Sequence, residues 1–269
     1  MLPLRQIGPS EEVLLRLRSW QDEIDAESDY SAQVASAQGA WRIHRVDPLM
    51  KEVEQLLEQM CCGGRRCAYC EDSLAREIEH IWPKSLYPEL AFQWPNYLYA
   101  CDSCNSKKGA QFAIFPAGGG PMLKVSRARG SVARVRPAVG DSVFVNPRCE
   151  DPAAFFTLDL TGSFKFRAHR GLAGRDRERA EYTLTALPLN SDPLLKQRRN
   201  AYRHYLSTLH HYLRDVEHHA SPHELARHGQ AIAESDHQTV WSEMKRQQTK
   251  IPELADLFRQ APEALCWGW

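Results

Sequence analysis

The chain has 269 residues, 43% hydrophobic and 25% charged, an ordinary globular balance with enough length to bury a core shared by two or three compact units. Lys/Arg and Asp/Glu cancel at 34 each, which excludes a uniform cationic coat for polyanions. No apolar run is long enough to read as a membrane span, and the opening MLPLRQIGPSEEV has no signal-peptide core, so a cytoplasmic protein with reduced thiols is expected.

Ser10 followed by Glu11, Glu12, Val13, Leu14 and Leu15 predicts a helix running through about Asp25. Pro48 with Met50, Val53, Leu56, Leu57 and Met60 predicts a second, amphipathic helix ending near Gly63-Gly64. Residues 1–60 hold 6 Lys/Arg against 11 Asp/Glu and are read as an acidic helical cap.

Two Cys-x-x-Cys pairs follow, Cys67 with Cys70 and Cys101 with Cys104, the four soft thiolates that a tetrahedral structural zinc takes. Cys61, Cys62, Cys149 and Cys266 have no paired spacing and are read as ordinary thiols. Between and just after the knuckles lie Ile78-Glu79-His80-Ile81-Trp82-Pro83, Trp94-Pro95-Asn96 and Asn105-Ser106-Lys107-Lys108-Gly109, which are not packing sequences.

This order of residues resembles the HNH endonuclease motif of the His-Me finger (ββα-metal) superfamily in its four-cysteine zinc version, over about 45 residues. The resemblance implies a strand carrying Glu79 and His80, a loop, and a helix returning Asn105. It implies His80 as general base, Glu79 and Asn105 as ligands of a catalytic divalent cation such as Mg²⁺, and Asn96 as the brace of the loop. The chemistry is coherent. Hydrolysis of a phosphodiester needs a proton acceptor for water, and cationic stabilisation of charge on phosphate and leaving oxygen. Adjacent strand residues point to opposite faces, so a bulge or the strand end is expected to bring Glu79 and His80 together. Lys107 and Lys108 are expected in the first turn of a helix starting at Asn105, where a phosphate is favoured.

Residues 111–219 hold 17 Lys/Arg against 10 Asp/Glu. Lys124, Arg127, Arg129, Arg134 and Arg136 fall in a stretch without acidic residues, read as a nucleic-acid backbone arm. After the breaker Ala117-Gly118-Gly119-Gly120-Pro121, the runs Val143-Phe144-Val145, Phe155–Leu158 and Phe164–Phe166 predict one small antiparallel sheet with a hairpin turn at Gly162. From Arg175 the pattern is helical, broken at Pro188, Pro193, Pro222 and Pro252. His204, His211 and His218 recur every seven residues, roughly 10 Å apart along a helix and too far for one ion. The stripe Tyr202, Tyr205, Leu206, Leu209, Tyr212 and Leu213 reads mainly as core, and Cys266-Trp267-Gly268-Trp269 as exposed aromatic surface.

A broader order, Cys67–Glu71, Ile78–Ser85, Trp94–Asn96, Asn146-Pro147 through Pro152, and Leu187–Asn190 before a basic helix, resembles the HNH nucleases of Septu-type and retron-linked antiphage systems. That resemblance implies an ATP-binding-cassette-like ATPase partner, docked by the helical tail and acidic cap, and in some systems a reverse transcriptase with its multicopy single-stranded DNA. The chain carries no phosphate-loop motif of its own. The expected fold is α+β and mostly helical: an acidic cap (1–60), a zinc-stapled ββα-metal finger (61–115), a basic connector and small β region (116–174), and a helical tail (175–269). DNA is the favoured substrate; RNA such as transfer RNA, or a non-catalytic zinc adaptor between nucleic acid and an ATPase, are the alternatives.

Overall fold

Ser10 accepts a hydrogen bond from the Val13 N–H and starts α1 (Glu11–Asp25), much as the acidic first turn foretells. The computed structural model describes residues 1–269 except 73, 128–132 and 134. Asp29 caps α2 (Tyr30–His44) through the Ala32 N–H at 2.9 Å, and Asp47 with Pro48 opens α3 (Pro48–Gln59). Helix α2 is absent from the sequence reading. Its SAQVASAQGA stretch has small residues and no apolar stripe, so periodicity gives no signal; it is held instead by packing on α1, with Trp20 stacked on His44 at 4.3 Å.

β1 (Glu77–His80) pairs antiparallel with β2 (Tyr97–Ala100), in the register Glu77 to Ala100 through His80 to Tyr97. Short 3-10 turns at Pro88–Leu90 and Trp94–Asn96 shape the loop between them. Helix α4 (Asp102–Lys108) follows β2 after the single residue Cys101 and packs against β1, giving a compact β-β-α unit.

β3 (Phe112–Pro116) is the centre of a three-stranded antiparallel sheet between β4 (Leu123–Val125) and β5 (Gly140–Ser142). A Cβ on Gly140 would fall 2.1 Å from the Phe115 carbonyl oxygen, so only glycine permits this pairing. β6 (Phe156–Leu158) and β7 (Phe166–Ala168) form a separate hairpin, its turn tied by the Asp159 carboxylate to the Ser163 N–H at 3.1 Å and hydroxyl at 2.7 Å. The single sheet expected over 143–166 is thus corrected to two. The Val143 N–H still donates to the Ala113 carbonyl of β3 at 3.0 Å, but Phe144 and Val145 leave the ladder because Ser142 Oγ takes the Phe144 N–H at 3.1 Å and Thr183 Oγ1 takes the Val145 N–H at 3.0 Å.

The tail is helical: α5 (Gly174–Ala186), α6 (Asp192–Glu217), α7 (Pro222–Glu234), α8 (Gln238–Gln247) and α9 (Pro252–Gln260), with α6 packed on α7, α8 and α9. Pro193, Pro222 and Pro252 each fall in a first turn, where the missing N–H costs nothing. One continuous apolar core runs from Met1 to Ala264, joining cap, finger, hairpin and tail. The terminal aromatics are not the exposed patch expected. Trp267 packs edge-on against Tyr212 at 4.9 Å; Trp269 lies under Arg5 at 3.9 Å and donates to the Pro3 carbonyl at 3.3 Å. Among the described residues no helix is long and apolar enough to cross a membrane.

Candidate metal centre and the adjoining histidine site

Cys67 and Cys70 sit in a turn closed by the Glu71 N–H on the Cys67 carbonyl (2.9 Å) and the Cys67 N–H on the Asp72 carbonyl (3.0 Å). The Ala68 N–H bonds the Tyr99 carbonyl at 2.8 Å, hanging the turn on β2, while Cys101 and Cys104 frame the first turn of α4. All four sulfurs are buried and lie within 4.8 Å of one another, with Cys70 and Cys101 Sγ 3.7 Å apart. A tetrahedron with Zn–S bonds of about 2.3 Å has edges of about 3.8 Å, the scale of the Cys70–Cys101 separation, so the cluster suits a divalent ion such as zinc. Hydrogen bonds from Cys104, Cys67 and Cys70 hold the Cys101 thiol far down, whereas Cys70 and Cys104 are pushed up. Cysteine binds a metal as thiolate, so metal entry would release protons.

Glu79 points from β1 into the interior and is 2% exposed. Its Oε1 accepts from Lys108 Nζ at 2.5 Å and its Oε2 from the Tyr69 hydroxyl at 2.8 Å. Lys108 is itself fully buried, donates also to the His80 carbonyl at 2.8 Å, and lies 5.5 Å from the Phe144 ring centre. This corrects the expected role of Lys108. Because α4 begins at Asp102, Lys107 and Lys108 occupy its last turn and not its first; Lys107 is exposed there, and Lys108 turns inward to neutralise Glu79.

His80 ends β1, and its ring lies on the face opposite Glu79. It is 6% exposed, edge-on to Trp41 of α2 at 4.3 Å and to Tyr97 at 5.3 Å. The register of β1 and β2 is regular through His80, so no bulge turns the Glu79 and His80 side chains to one face. Nε2 lies 3.0 Å from the Ala91 carbonyl, which also accepts from the Tyr97 hydroxyl at 2.8 Å. A carbonyl can only accept, so the proton sits on Nε2 and the Nδ1 lone pair is left free. Burial, then the charges of Lys84 and Lys108, push the imidazole well below the usual histidine range, against the opposing bond to Ala91. Lys84, 5.0 Å from the Trp41 ring centre, is lowered to about 8, chiefly by burial.

Asn96 is buried at the far end of the loop. Its Oδ1 accepts the Trp82 N–H at 2.8 Å, and its Nδ2 donates to the carbonyls of Trp82 (3.0 Å) and Leu90 (2.8 Å), while its own carbonyl takes the Ile81 N–H at 2.9 Å. Asn105 lies half-buried in the middle of α4, the helix that packs on β1.

Two described arginines of the basic arm bind back onto the protein. Arg127 donates to the Ser85 carbonyl and to Tyr30 Oη; Arg136 pairs with Glu89 at 2.8 Å and bonds Gln33 at 2.6 Å. Both guanidinium groups flank the Tyr30 ring, at 5.4 and 4.9 Å. Lys124 stands exposed on edge strand β4, whereas Arg129 and Arg134 lie outside the described residues. The tail histidines are not assembled into a centre: His204 meets Ser235 Oγ at 3.1 Å, and His211 and His218 are exposed.

The chain is 45% identical over 52 residues to the Septu protein PtuB of Bacillus thuringiensis. That stretch is 18% of this chain and spans a fifth of the relative's length. No protein-family model matches the chain.

Three residues of the site escaped the sequence reading. Trp41, in the unforeseen α2, walls His80; Tyr69, between the first two cysteines, holds Glu79; and Arg148 donates to the Tyr97 carbonyl at 2.6 Å while lying 4.6 Å from the Trp94 ring centre. Tyr69 alone had a local signal, as a large polar aromatic inside a metal knuckle.

Proposed function

We propose that this chain is a metal-dependent HNH endonuclease, its site built on the β1-β2-α4 unit and its finger stapled by zinc at Cys67, Cys70, Cys101 and Cys104. The observation that carries the reading is His80. A neutral, buried imidazole with one nitrogen pinned to a backbone carbonyl and the other free is the form a general base needs. On this reading Nδ1 removes the proton of the attacking water, and Trp41 and Tyr97 keep the ring in place while excluding bulk solvent. Asn96 fixes the loop whose Ala91 carbonyl orients the ring.

Glu79 and Asn105 would hold a divalent cation such as Mg²⁺, which when bound would supply charge stabilisation to the phosphate and the leaving oxygen. Glu79 Oε1 already holds a cation, the Lys108 ammonium at 2.5 Å. Occupancy by a divalent ion therefore requires Lys108 to withdraw from that oxygen, with the Tyr69 bond to Oε2 left in place. Lys107 and Lys124 remain as exposed cations for a phosphate backbone.

The local likeness to a Septu protein supports a role in antiphage defence beside a PtuA-type ATPase; DNA is the favoured substrate of this reading, with RNA as the alternative. The test is incubation of the purified chain, alone and with that ATPase, with DNA and with RNA in the presence and absence of Mg²⁺. Metal-dependent cleavage that His80→Ala abolishes at unchanged zinc content is expected. Undiminished cleavage by His80→Ala refutes the assigned base.

A further inference from the structure

The β6-β7 hairpin and the end of α8 bound a cleft of 620 Å³, lined by no residue of the β1-β2-α4 unit. Its charged lining is Arg167, Arg170, Arg246 and Lys250 against Asp159, with His169 on the same segment as the first two. Hydrogen bonds fix the two walls to each other: Arg246 donates to the Ala153 carbonyl at 2.5 Å and the Phe156 carbonyl at 2.8 Å, and Gln247 to the Leu158 carbonyl at 2.8 Å. Arg246 is also paired with Glu243, so its charge is committed to holding the wall. The other three cations are not. Arg167 stands opposite Thr157 in the hairpin with 65% of its side chain exposed, and meets Asp159 only at 3.5 Å, a loose pair that a competing anion displaces easily. Arg170 and Lys250 are exposed and have no side-chain partner among the described residues. The Gly171 N–H donates to His169 Nδ1 at 3.2 Å, so the neutral ring carries its proton on Nε2, a further donor on this turn.

Asp159, the one acidic residue of this lining, is already occupied in the hairpin turn, where it accepts from the Ser163 N–H at 3.1 Å and hydroxyl at 2.7 Å. The cleft therefore presents cations whose anion must come from outside the chain. No aromatic ring lines it, and Phe155, Phe156 and Phe166 are turned into the core, so a nucleobase finds nothing to stack on. The free cations are exposed side chains on two elements, an arrangement suited to a run of phosphates and not to base edges. We propose that the cleft between the β6-β7 hairpin and α8 binds the phosphodiester backbone of nucleic acid through Arg167, Arg170 and Lys250. This rests on the reading that the chain acts on nucleic acid, and not on the role of His80. It gives the substrate a second, sequence-independent hold outside the finger, one that adds affinity and fixes position without taking part in the chemistry.

The experiment follows binding of a short fluorescent DNA duplex to the full zinc-loaded chain by anisotropy over a salt series, in a His80→Ala background without added Mg²⁺ so that cleavage does not intervene. Each phosphate contact contributes a slope of about 0.9 in log affinity against log salt. Arg167→Gln, Arg170→Gln and Lys250→Gln combined should therefore flatten that slope by about two to three, and weaken binding by at least about tenfold at low salt. Lys51→Gln, which removes an exposed cation from α3, should change neither. An unchanged slope in the triple variant overturns the proposal, as does an equal loss in Lys51→Gln. Calorimetry with inorganic triphosphate separates a free phosphate ligand from a backbone: binding that the triple variant loses while its duplex slope stays that of the parent assigns the cleft to a small anion and overturns the proposal. Should the triple variant not fold, Lys250→Glu alone decides, with a slope flattened by about one to two expected and an unchanged slope overturning the proposal. A parent chain that binds no duplex also overturns it; the nuclease reading is then judged separately, by metal-dependent cleavage beside the ATPase.

Discussion

Lys108→Met tests the interior of the finger most directly. The substitution keeps most of the side-chain length but removes the ammonium that binds Glu79 Oε1 at 2.5 Å and the His80 carbonyl at 2.8 Å. Both partners of the pair are essentially inaccessible, at 0% and 2% side-chain exposure, so water cannot replace the lost donor. Breaking a buried pair on one side leaves an uncompensated charge and costs about 3–5 kcal/mol. At roughly 2–4 °C per kcal/mol for a chain of this size, the midpoint of thermal unfolding should fall by about 10 °C in zinc-saturated protein. Glu79→Gln combined with Lys108→Met removes both charges and leaves an amide for Tyr69, so the double variant should regain at least half of the loss. A fall worth under about 1 kcal/mol, below even the usual cost of an unmade buried hydrogen bond, would refute the pairing; so would a double variant no more stable than the single.

Four further outcomes follow from the same geometry. His80 lies below the ordinary histidine value, so the acidic limb of a cleavage profile should fall under about pH 6.5, and a limb at or above that value contradicts the buried neutral ring. For stability the sign is the same: a depressed histidine contributes fully above its unfolded value, and that contribution is lost as pH drops through the folded one, a slope His80→Gln should remove. Lys84, lowered to about 8, should be acylated at pH 8 ahead of Lys107 and Lys124 when peptides are quantified by mass spectrometry; a rate no faster than theirs contradicts it. Cys67→Ser should lose zinc by elemental analysis and unfold the finger, since structural zinc contributes an apparent 10 to 16 kcal/mol, roughly, in small fingers; a fully metallated, folded variant argues against the staple. Arg127→Ala should lower thermal stability, whereas Lys124→Glu should weaken nucleic-acid binding and flatten its salt dependence by roughly one to two phosphate contacts. The reverse assignment would restore the arm to the backbone-binding role read from sequence.

Short local rules made some of this legible and not the rest. Cysteine spacing located the cluster, the acidic turn after Ser10 and Pro48 marked helix starts, and Pro193, Pro222 and Pro252 marked breaks that fall at the first turn of the next helix, because caps and ring constraints act within a few residues. Lys108 was misread because counting the helix from Asn105 ignored Asp102, the acidic residue already in its first turn. That shift of three residues carries a side chain from one end of the helix to the other. Helix α2, and with it Trp41, stayed hidden since tertiary packing and not an apolar stripe holds it. Arg127 and Arg136 looked free for the same reason: their partners Tyr30, Ser85 and Glu89 are distant in sequence, and charge runs do not reveal what folds over them.

Asn96 limits how this loop can vary. By gripping Trp82 through both its N–H and its carbonyl, and Leu90 through its carbonyl, it sets a fixed gauge between the point where chain leaves β1 and the point where it returns. The segment at 83–89 spans that gauge while sinking Leu86 and Tyr87 into the core, so loosening Asn96 would slacken at once the packing beneath the loop and the Ala91 carbonyl on which the histidine is mounted.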